Sequence, residues 1–369
     1  MIRIKSIAIN STNKFKGDGS SFITLEHIES FTGKFVGDLH PSGTQIEEMI
    51  AHRPGDILFG KLRPYLSKSF LAMEHGGNSG EFLVIRPKRS HIEPKFLFYV
   101  TLCKSFIEFI SACAYGVKMP RTNWEQIGNF KITLPPMSVQ RQIIIYLDAE
   151  TSRIDQLIAE LENQKSLLRE RRQVVITEAV SGKVDQFAFD VSTWKETKLK
   201  REANIVSGSD SKCDDGPYQF YGANGVIGQT DHATVCQPTV LIGRVGSAGS
   251  ISYVDEICGV SDNALIYRNK IYNCPRFDYY LLCSLDFKAE ISKNAQPLIT
   301  ASNIADRKVI VPTQLSERIA ISRFLDKETY RIDQLISEID NQISLLKEWR
   351  QALITSAITG QIDVSQMVA

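Results

Sequence analysis

Apolar residues recur every seven positions along two long stretches of the chain. The first stretch carries Leu147, Ile154, Leu161, Leu168 and Val175, and the second carries Leu325, Ile332, Ile339, Leu346 and Leu353. The residues between them are mostly polar and carry charges of both signs. This pattern is typical of an amphipathic helix that packs along one face. It predicts two long spacer helices, in segments 135–185 and 312–369, that pair as a coiled coil.

Residues that start and stop helices flank both stretches. Prolines precede the helices, serines suit the N-cap and glycines suit the C-terminal stop: Pro135, Pro136, Pro312, Ser138, Ser316, Gly182 and Gly360. A helix of about 40 residues is about 60 Å long, which is too long for the interior of a small domain. Each apolar stripe therefore needs a partner, and we expect the two helices to pair antiparallel.

The two helical stretches are copies of one sequence. Residues 143–185 recur as residues 321–363, 178 positions later and without a gap. Roughly 25 of about 43 positions are identical, far above chance for a repeat of this length. Each copy closes a half of similar size, with segment 1–134 before the first helix and segment 186–311 before the second. This duplication favours a partner that is itself bipartite.

The segments before the helices contain short apolar runs separated by Gly, Asn, Asp and Pro, which predicts many short strands. Both open with a strand signal, at 2–8 and 197–206. Both later show a strand that is followed by a glycine and a basic residue, within 55–68 and 239–250. The predicted fold class is α/β, of the α+β type. Two mixed, strand-rich domains are separated by two long antiparallel coiled-coil helices, with a pseudo-twofold internal repeat.

Composition argues against several classes of protein. The seven cysteines are scattered and never in C-x-x-C spacing, which argues against a disulfide framework or a zinc site. The six histidines form no H-E-x-x-H motif, so we expect no metal and no other cofactor. No apolar run approaches the about 20 residues that cross a membrane, and the first residues lack a signal-peptide pattern. We therefore expect a cytoplasmic protein without a membrane partner.

The order of segments and several motifs resemble the specificity subunits of Type I restriction-modification systems. The motif L-D-x-E-T-x-R-I-D-x-L-I opens both helices, at 147–158 and 325–336, and GDILFGKLRP, YGANGVIG, LIGRVGSAGS and VSDNA support the resemblance in the domains. The usual P-P-L-x-E-Q element departs from the pattern: the first copy, 135–140, lacks its Glu, and the second has Arg318 where Gln is usual.

The resemblance implies a DNA-reading subunit without catalysis of its own. Segments 1–134 and 186–311 would be target-recognition domains that each read half of a split double-stranded DNA sequence. The partners it implies are two DNA adenine methyltransferase subunits that use S-adenosylmethionine, with or without ATP-dependent restriction and translocase subunits. These partners would perform the methyl transfer and any cleavage, since the sequence carries no N-P-P-Y, D-P-P-Y or Walker A motif.

Candidate DNA contacts are the basic, amide and hydroxyl groups on the glycine-punctuated loops. They are Lys61, Arg63, Lys68, Lys118, Arg121, Asn123, Asn224, Arg244, Ser247, Asn263 and Ser302. Arg can bind guanine bidentately and Asn can bind adenine in the same way. The net charge is +1, with about +5 in segment 1–134 and about −1 in segment 186–311. A partner subunit that encloses the DNA would then supply much of the phosphate neutralisation.

The helices also predict a gap in the target. About 30 paired residues give a rod of about 45 Å, or about 13 base pairs, so the half-sites would lie roughly one helical turn apart. A non-catalytic coiled-coil adaptor would explain the helices but not two diverged domains with matching loops. An orphan DNA-binding regulatory module remains open, whereas an enzyme would need a catalytic constellation that the sequence does not contain.

Overall fold

The computed structural model describes residues 1–17, 22–37, 46–184, 189–271, 273–287, 291 and 297–364. The chain divides into two units, Met1–Leu161 with Asp340–Ala369, and Glu162–Ile339. Both long helices continue from one unit into the other. Each unit therefore contains one strand-rich domain, the first part of the helix that follows it and the last part of the other helix.

The elements of the first half begin with a short strand and end with a helix of 44 residues. They are β1 (Ile2–Arg3), α1 (Ile4–Ile7), β2 (Ala8–Ser11), β3 (Lys14–Gly17), β4 (Phe22–Ile23), β5 (Ile46–His52), β6 (Ile57–Gly60), β7 (Ser69–Leu71), β8 (Gly76–Asn78), β9 (Phe82–Pro87), α2 (Pro94–Leu102), α3 (Lys104–Cys113), α4 (Trp124–Asn129), β10 (Lys131–Ile132) and α5 (Met137–Val180).

The second half has a similar but shorter series of elements and ends with a helix of 45 residues. Its elements are β11 (Lys195–Lys198), α6 (Leu199–Glu202), β12 (Ala203–Ser207), β13 (Tyr218–Gly222), β14 (Gly225–Thr230), β15 (Thr239–Gly243), β16 (Ile251–Val254), β17 (Cys258–Val260), β18 (Ala264–Asn269), α7 (Pro275–Cys283), α8 (Ala301–Ala305), β19 (Lys308–Val311) and α9 (Leu315–Thr359). Single 3-10 turns lie at Leu25–His27, Pro64–Leu66 and Val191–Thr193.

The sheets of the two halves correspond. The central sheet has the order β2-β9-β6-β7 in the first half and β12-β18-β15-β16 in the second, and all its pairs are antiparallel. A two-stranded ribbon joins the start of each domain to the strand before its helix, as β1-β10 and β11-β19. Further sheets, β3-β5-β8-β4 and β14-β13-β17, complete the domains. The duplication that the helix sequences revealed therefore extends to the domain fold.

The opening strand of each domain differs from its prediction. Residues 2–8 and 197–206 were expected to form continuous strands, but one helical turn, α1 or α6, interrupts each. Ile4 and Ile7 lie three positions apart and are both fully buried, which a helical turn permits and a flat strand does not. The interruption thus places two side chains on the core side of each domain.

The apolar stripe of each long helix is directed inward. The stripe residues Leu147, Ile154, Leu325, Ile332 and Ile339 are buried, and the other five are half-buried. In the first unit, Ile143 and Leu147 share a core with Ile354 and Ala357. In the second unit, Ile176 and Ala179 share a core with Ile321 and Leu325. The start of one helix thus packs against the end of the other in both units, which confirms the antiparallel pairing.

The glycine stops were predicted correctly, whereas the serine caps were not. The helices begin at Met137 and Leu315, so Ser138 and Ser316 lie inside the first turn. At the other end Gly182 and Gly360 have φ of +72° and +75°. In both cases the amides that follow bond back to the last turn, in the pattern of a Schellman motif.

Candidate nucleic-acid interface

In both domains a strand at the same place in the fold ends in a glycine, and a basic residue follows it. After β6, the Lys61 N–H donates to the Glu81 carbonyl at 2.7 Å, and the Lys61 carbonyl accepts from Thr122 N–H at 2.9 Å. After β15, the Arg244 N–H donates to the Asn263 carbonyl at 2.8 Å, and the Arg244 carbonyl accepts from the N–H of residue 299 at 3.0 Å. Lys61 and Arg244 are therefore structural counterparts. In each, both the backbone N–H and the backbone carbonyl form hydrogen bonds to neighbouring segments.

The residues that follow also correspond. Arg63 N–H donates to the Pro120 carbonyl at 2.8 Å, and Gly246 N–H donates to the Pro297 carbonyl at 3.3 Å. The position before Arg244 requires a glycine, Gly243, because a Cβ there would collide with the carbonyl oxygens of the neighbouring loops. Each domain thus brings two separate loops together beside one basic residue.

In the first domain this arrangement gathers four cations: Lys61, Arg63, Lys118 and Arg121. Lys61 Nζ donates to the Gly80 carbonyl at 2.6 Å, and burial, followed by the charge of Arg121, lowers its pKa. Arg63, Lys118 and Arg121 are exposed, and none of them forms an ion pair within the part of the chain that the structure describes. Four cations on two hydrogen-bonded loops leave a surface suited to an anionic ligand.

Two other predicted residues of this domain have structural partners. The Lys68 ammonium donates to the Leu25 carbonyl at 2.7 Å. The Asn123 side chain caps α4, where its Oδ1 accepts from the Gln126 N–H at 3.1 Å. These contacts hold the loops in place, and they leave both side chains with fewer groups for a ligand.

The second domain presents more amides and fewer cations. Arg244 Nη1 donates to Ser207 Oγ at 3.3 Å and to the Asp262 carbonyl at 3.2 Å, so its guanidinium is partly occupied. Asn224, in the turn between β13 and β14, is exposed, as are Asn263 and Ser247. Ser302 is exposed in the first turn of α8, with its Oγ 2.9 Å from Thr300 Oγ1. The structure therefore brings Arg244 and Asn263 together and leaves Ser302 on a separate element.

The motif L-D-x-E-T anchors each domain to its own helix. In the first unit, Asp148 accepts from Lys95 Nζ and from the Tyr99 hydroxyl, both at 2.7 Å. Burial raises the pKa of Tyr99, so this phenol stays a donor. In the second unit Asp326 accepts in the same way from Tyr280, at 2.7 Å, and from Arg276.

The threonine of the same motif completes the anchor. The Thr151 and Thr329 hydroxyls donate to the carbonyls of Leu147 and Leu325, both at 2.6 Å. Each hydroxyl also lies within hydrogen-bond distance of the anchoring tyrosine. The sequence marked these positions only as identical in both copies of the repeat, and the structure supplies their role.

An ion-paired cluster sits where the second domain meets its helix. Arg318 and Glu202 form a salt bridge of 3.0 Å, with 2% of each side chain exposed. Arg318 Nε also donates to the Pro312 carbonyl at 3.1 Å. In the first domain the corresponding positions are Gln140, which donates to the Pro135 carbonyl at 2.9 Å, and Ile7. The unusual arginine of the second copy is therefore matched by an acid in its own domain.

The chain is a duplicated recognition protein. It contains two copies of one strand-rich domain, and each copy carries a loop with a basic residue and is followed by a long helix. The sequence profile of the family described as Type I restriction modification DNA specificity domain matches residues 45–165 and again 192–345. These matches cover most of the chain and fall once in each half. The chain belongs to this family of Type I restriction-modification specificity proteins.

Curated relatives have similar descriptions. The Type I restriction enzyme EcoDI specificity subunit of Escherichia coli is 25% identical over 163 residues, which is 43% of this chain and 35% of that protein. The Type I restriction enzyme MjaVIII specificity subunit of Methanocaldococcus jannaschii is 23% identical over 354 residues, covering 85% of this chain and 77% of that protein. The alignment thus spans about a third of the first relative and about three quarters of the second.

Solved structures share the fold over almost the whole chain. A structure from a study of complex assembly and conformational transition of the type I R-M system has a TM-score of 0.77, at 20% identity, and covers 98% of this chain and 97% of that one. The HsdS subunit from Thermoanaerobacter tengcongensis has a TM-score of 0.52, at 21% identity, and covers 98% and 96%.

Among the described residues, no single helix is long and apolar enough to cross a membrane. The bent pair α2 and α3 is apolar enough by composition, but Phe96, Leu97 and Phe106 of this pair belong to the core of the first unit.

Proposed function

We propose that this chain reads a bipartite double-stranded DNA target, with segment 1–134 reading one half and segment 186–311 the other. The observation that carries this proposal is the equivalence of Lys61 and Arg244, each held by the same backbone bonds beside a second loop. One fold with different side chains on the same loops is what two readers of unlike sequences need. The four cations of the first domain favour phosphate contact, and the amides Asn224 and Asn263 of the second favour base contact.

In this proposal the long helices set the distance between the two half-sites and dock two DNA adenine methyltransferase subunits that use S-adenosylmethionine. ATP-dependent restriction and translocase subunits would join them where the system cleaves DNA. The chain itself contributes recognition, and the partners contribute the chemistry. Support comes from the membership of the family and from the anchors Asp148 and Asp326, which join each domain to its own helix.

Salt titration of DNA binding tests this proposal. The chain is assembled with its methyltransferase subunit, and affinity for the target duplex is measured between low and moderate salt for the wild type and for Lys61→Ala/Arg121→Ala. The variant is expected to reduce the slope of log affinity against log salt by about one for each phosphate that it no longer neutralises. Lys104→Ala/Lys131→Ala, which removes two exposed cations elsewhere in the first domain, is the control and should behave as the wild type on this assay.

A complex that binds all duplexes equally would contradict the reading of sequence and would favour a coiled-coil adaptor or a regulatory module. If the Lys61→Ala/Arg121→Ala complex still recognises its target with an unchanged slope of log affinity against log salt, the phosphate contacts lie on another surface.

A further inference from the structure

An exposed apolar loop projects beside the four cations of the first domain. In this loop, residues 115–121 and called the tip loop below, Val117 is 100% exposed, Tyr115 is 55% exposed and Met119 is 48% exposed. Single exposed apolar side chains are common on protein surfaces, but a contiguous group marks a contact surface. Three such residues within one short loop therefore call for a partner.

The tip loop is held in one conformation at its base. Tyr115 N–H donates to the Arg121 carbonyl at 3.0 Å, and Arg121 N–H donates to the Tyr115 carbonyl at 2.8 Å. Gly116 has a φ of +95°, which allows the chain to turn immediately after this pair. The Arg63 N–H bond to the Pro120 carbonyl ties the loop to its neighbour. A loop ordered in advance loses little conformational entropy when it binds.

The surroundings of the tip loop identify the partner by charge. Lys118 lies within the loop and Arg121 at its base, while Lys61 and Arg63 lie on the loop bonded to it. A protein partner with an apolar pocket would not require four cations around it. Duplex DNA offers both features, since phosphates line each groove and the thymine C5-methyl group is an apolar contact on the floor of the major groove.

We propose that the tip loop enters the major groove of the half-site read by the first domain, where Val117 and Met119 contact a thymine methyl group. The four surrounding cations would hold the phosphates on either side. This inference rests on the proposed DNA-reading function and assigns apolar specificity residues to it. It predicts that the half-site of the first domain contains at least one thymine whose methyl group contributes to affinity.

The test combines a protein change with a DNA change. The assembled complex carries either wild-type chain or Val117→Ser/Met119→Ser, and affinity is measured for the target duplex and for duplexes in which each thymine of the half-site is replaced by uracil. The variant is expected to bind the target about tenfold more weakly. Its salt slope should stay unchanged, because no cation is removed. One uracil position should weaken the wild type by a similar factor and leave the variant unaffected.

The matched control is Val36→Ser/Met73→Ser, which removes a valine 44% exposed and a methionine 73% exposed in the same domain but outside the tip loop. This control is expected to bind the target as the wild type does. Thermal unfolding should be unchanged in both double variants, because all four side chains are exposed or half-exposed.

Several outcomes would overturn the inference. Wild-type affinity in Val117→Ser/Met119→Ser would remove the tip loop from the interface, and a uracil effect of equal size in both proteins would assign the methyl contact to another residue. Loss of subunit assembly with intact DNA affinity in the assembled fraction would make the tip loop a protein-binding surface. If the wild-type complex itself failed to prefer its target, the proposed function would fail, and the inference with it.

Discussion

Arg350 on α9 donates a hydrogen bond from Nε to Asp155 on α5 at 3.1 Å. In the other unit Arg172 on α5 donates to Asp333 on α9 at 3.0 Å. The two arginines lie 178 positions apart, and so do the two aspartates, so they occupy equivalent places in the repeat. Each copy of the repeat therefore contributes the aspartate of one ion pair and the arginine of the other. This reciprocal arrangement is expected of two antiparallel copies of one helix.

These paired bridges differ in burial and should differ in strength. In the first unit 8% of the Arg350 side chain and 15% of the Asp155 side chain are exposed, against 27% and 52% for Arg172 and Asp333. Arg350→Gln leaves the largely buried Asp155 carboxylate with Lys34, 3.0 Å away, as its counter-ion. The expected cost is roughly 2 kcal/mol, below that of a fully uncompensated buried charge. Arg172→Gln, the matched control, should cost at most about 1 kcal/mol.

Urea unfolding of the full chain measures both effects. Arg350 also donates to the Phe31 carbonyl at 3.1 Å, so its removal should release the loop around Phe31 as well. Equal shifts of the unfolding midpoint in the two variants would contradict the assignment of the buried pair.

The cluster of Arg318 and Glu202 should behave as a matched pair. Arg318→Gln restores the residue found at the equivalent position of the first half, Gln140, but leaves Glu202 buried without its cation. The expected loss of stability is roughly 3 kcal/mol. Adding Glu202→Ile, which restores Ile7 of the first half, should recover most of it. A double-mutant cycle on unfolding midpoints measures the coupling, and independent effects of the two changes would contradict the pairing.

The buried Asp278 carboxyl should make the stability of the second unit depend on pH. Its side chain accepts from Asn269 at 2.9 Å, and burial raises its pKa from 3.8 to about 7. Between these values the unfolded chain releases the proton while the folded chain keeps it. Stability should therefore fall as pH rises from about 4 to 7, by about 1.4 kcal/mol for each unit of pKa difference.

Asp278→Asn should remove this fall, so that the variant gains stability relative to the wild type as pH rises. Exposed Asp215→Asn serves as the control. Urea midpoints measured from pH 4 to pH 8 report the difference, and parallel pH profiles for wild type and Asp278→Asn would show that burial does not hold the proton.

Shortening one helix should change the gap between half-sites. Deletion of residues 161–167 removes one heptad, about 10 Å of helix or about three base pairs. The apolar stripe stays in phase, because a heptad restores the same face. We expect methylation at the same two half-sites across a shorter gap. An unchanged gap would show that the helices do not determine the spacing.

The architecture followed from the sequence because its signals were local or repeated. The stripe from Leu147 to Val175 has helical spacing, and the gapless repeat required a second helix like the first. Gly182 and Gly360 marked the helix ends because a left-handed residue there favours glycine. The candidate loops were also predicted from a local signal, a glycine followed by a basic residue.

The roles of individual side chains depended on distant contacts. Nothing near Lys68 in sequence indicates the Leu25 carbonyl that holds it, and nothing near Asn123 distinguishes a base contact from the cap that it forms. The anchor between Tyr99 and Asp148 joins residues 49 positions apart. Such contacts follow from the tertiary fold, so a single sequence suggests candidate loops but does not assign roles to their side chains.

The most direct test of the account is to express the chain with its methyltransferase subunit in a methylation-free host and map N6-methyladenine by single-molecule sequencing. We expect one split motif, methylated on both strands across a fixed gap. Replacing both Arg244 and Asn263 by alanine should relax recognition of the second half-site. Replacing both Lys61 and Arg121, proposed to contact phosphates, should weaken methylation without changing the motif. Methylation at a single undivided motif, or no methylation from a properly assembled complex, would contradict the account.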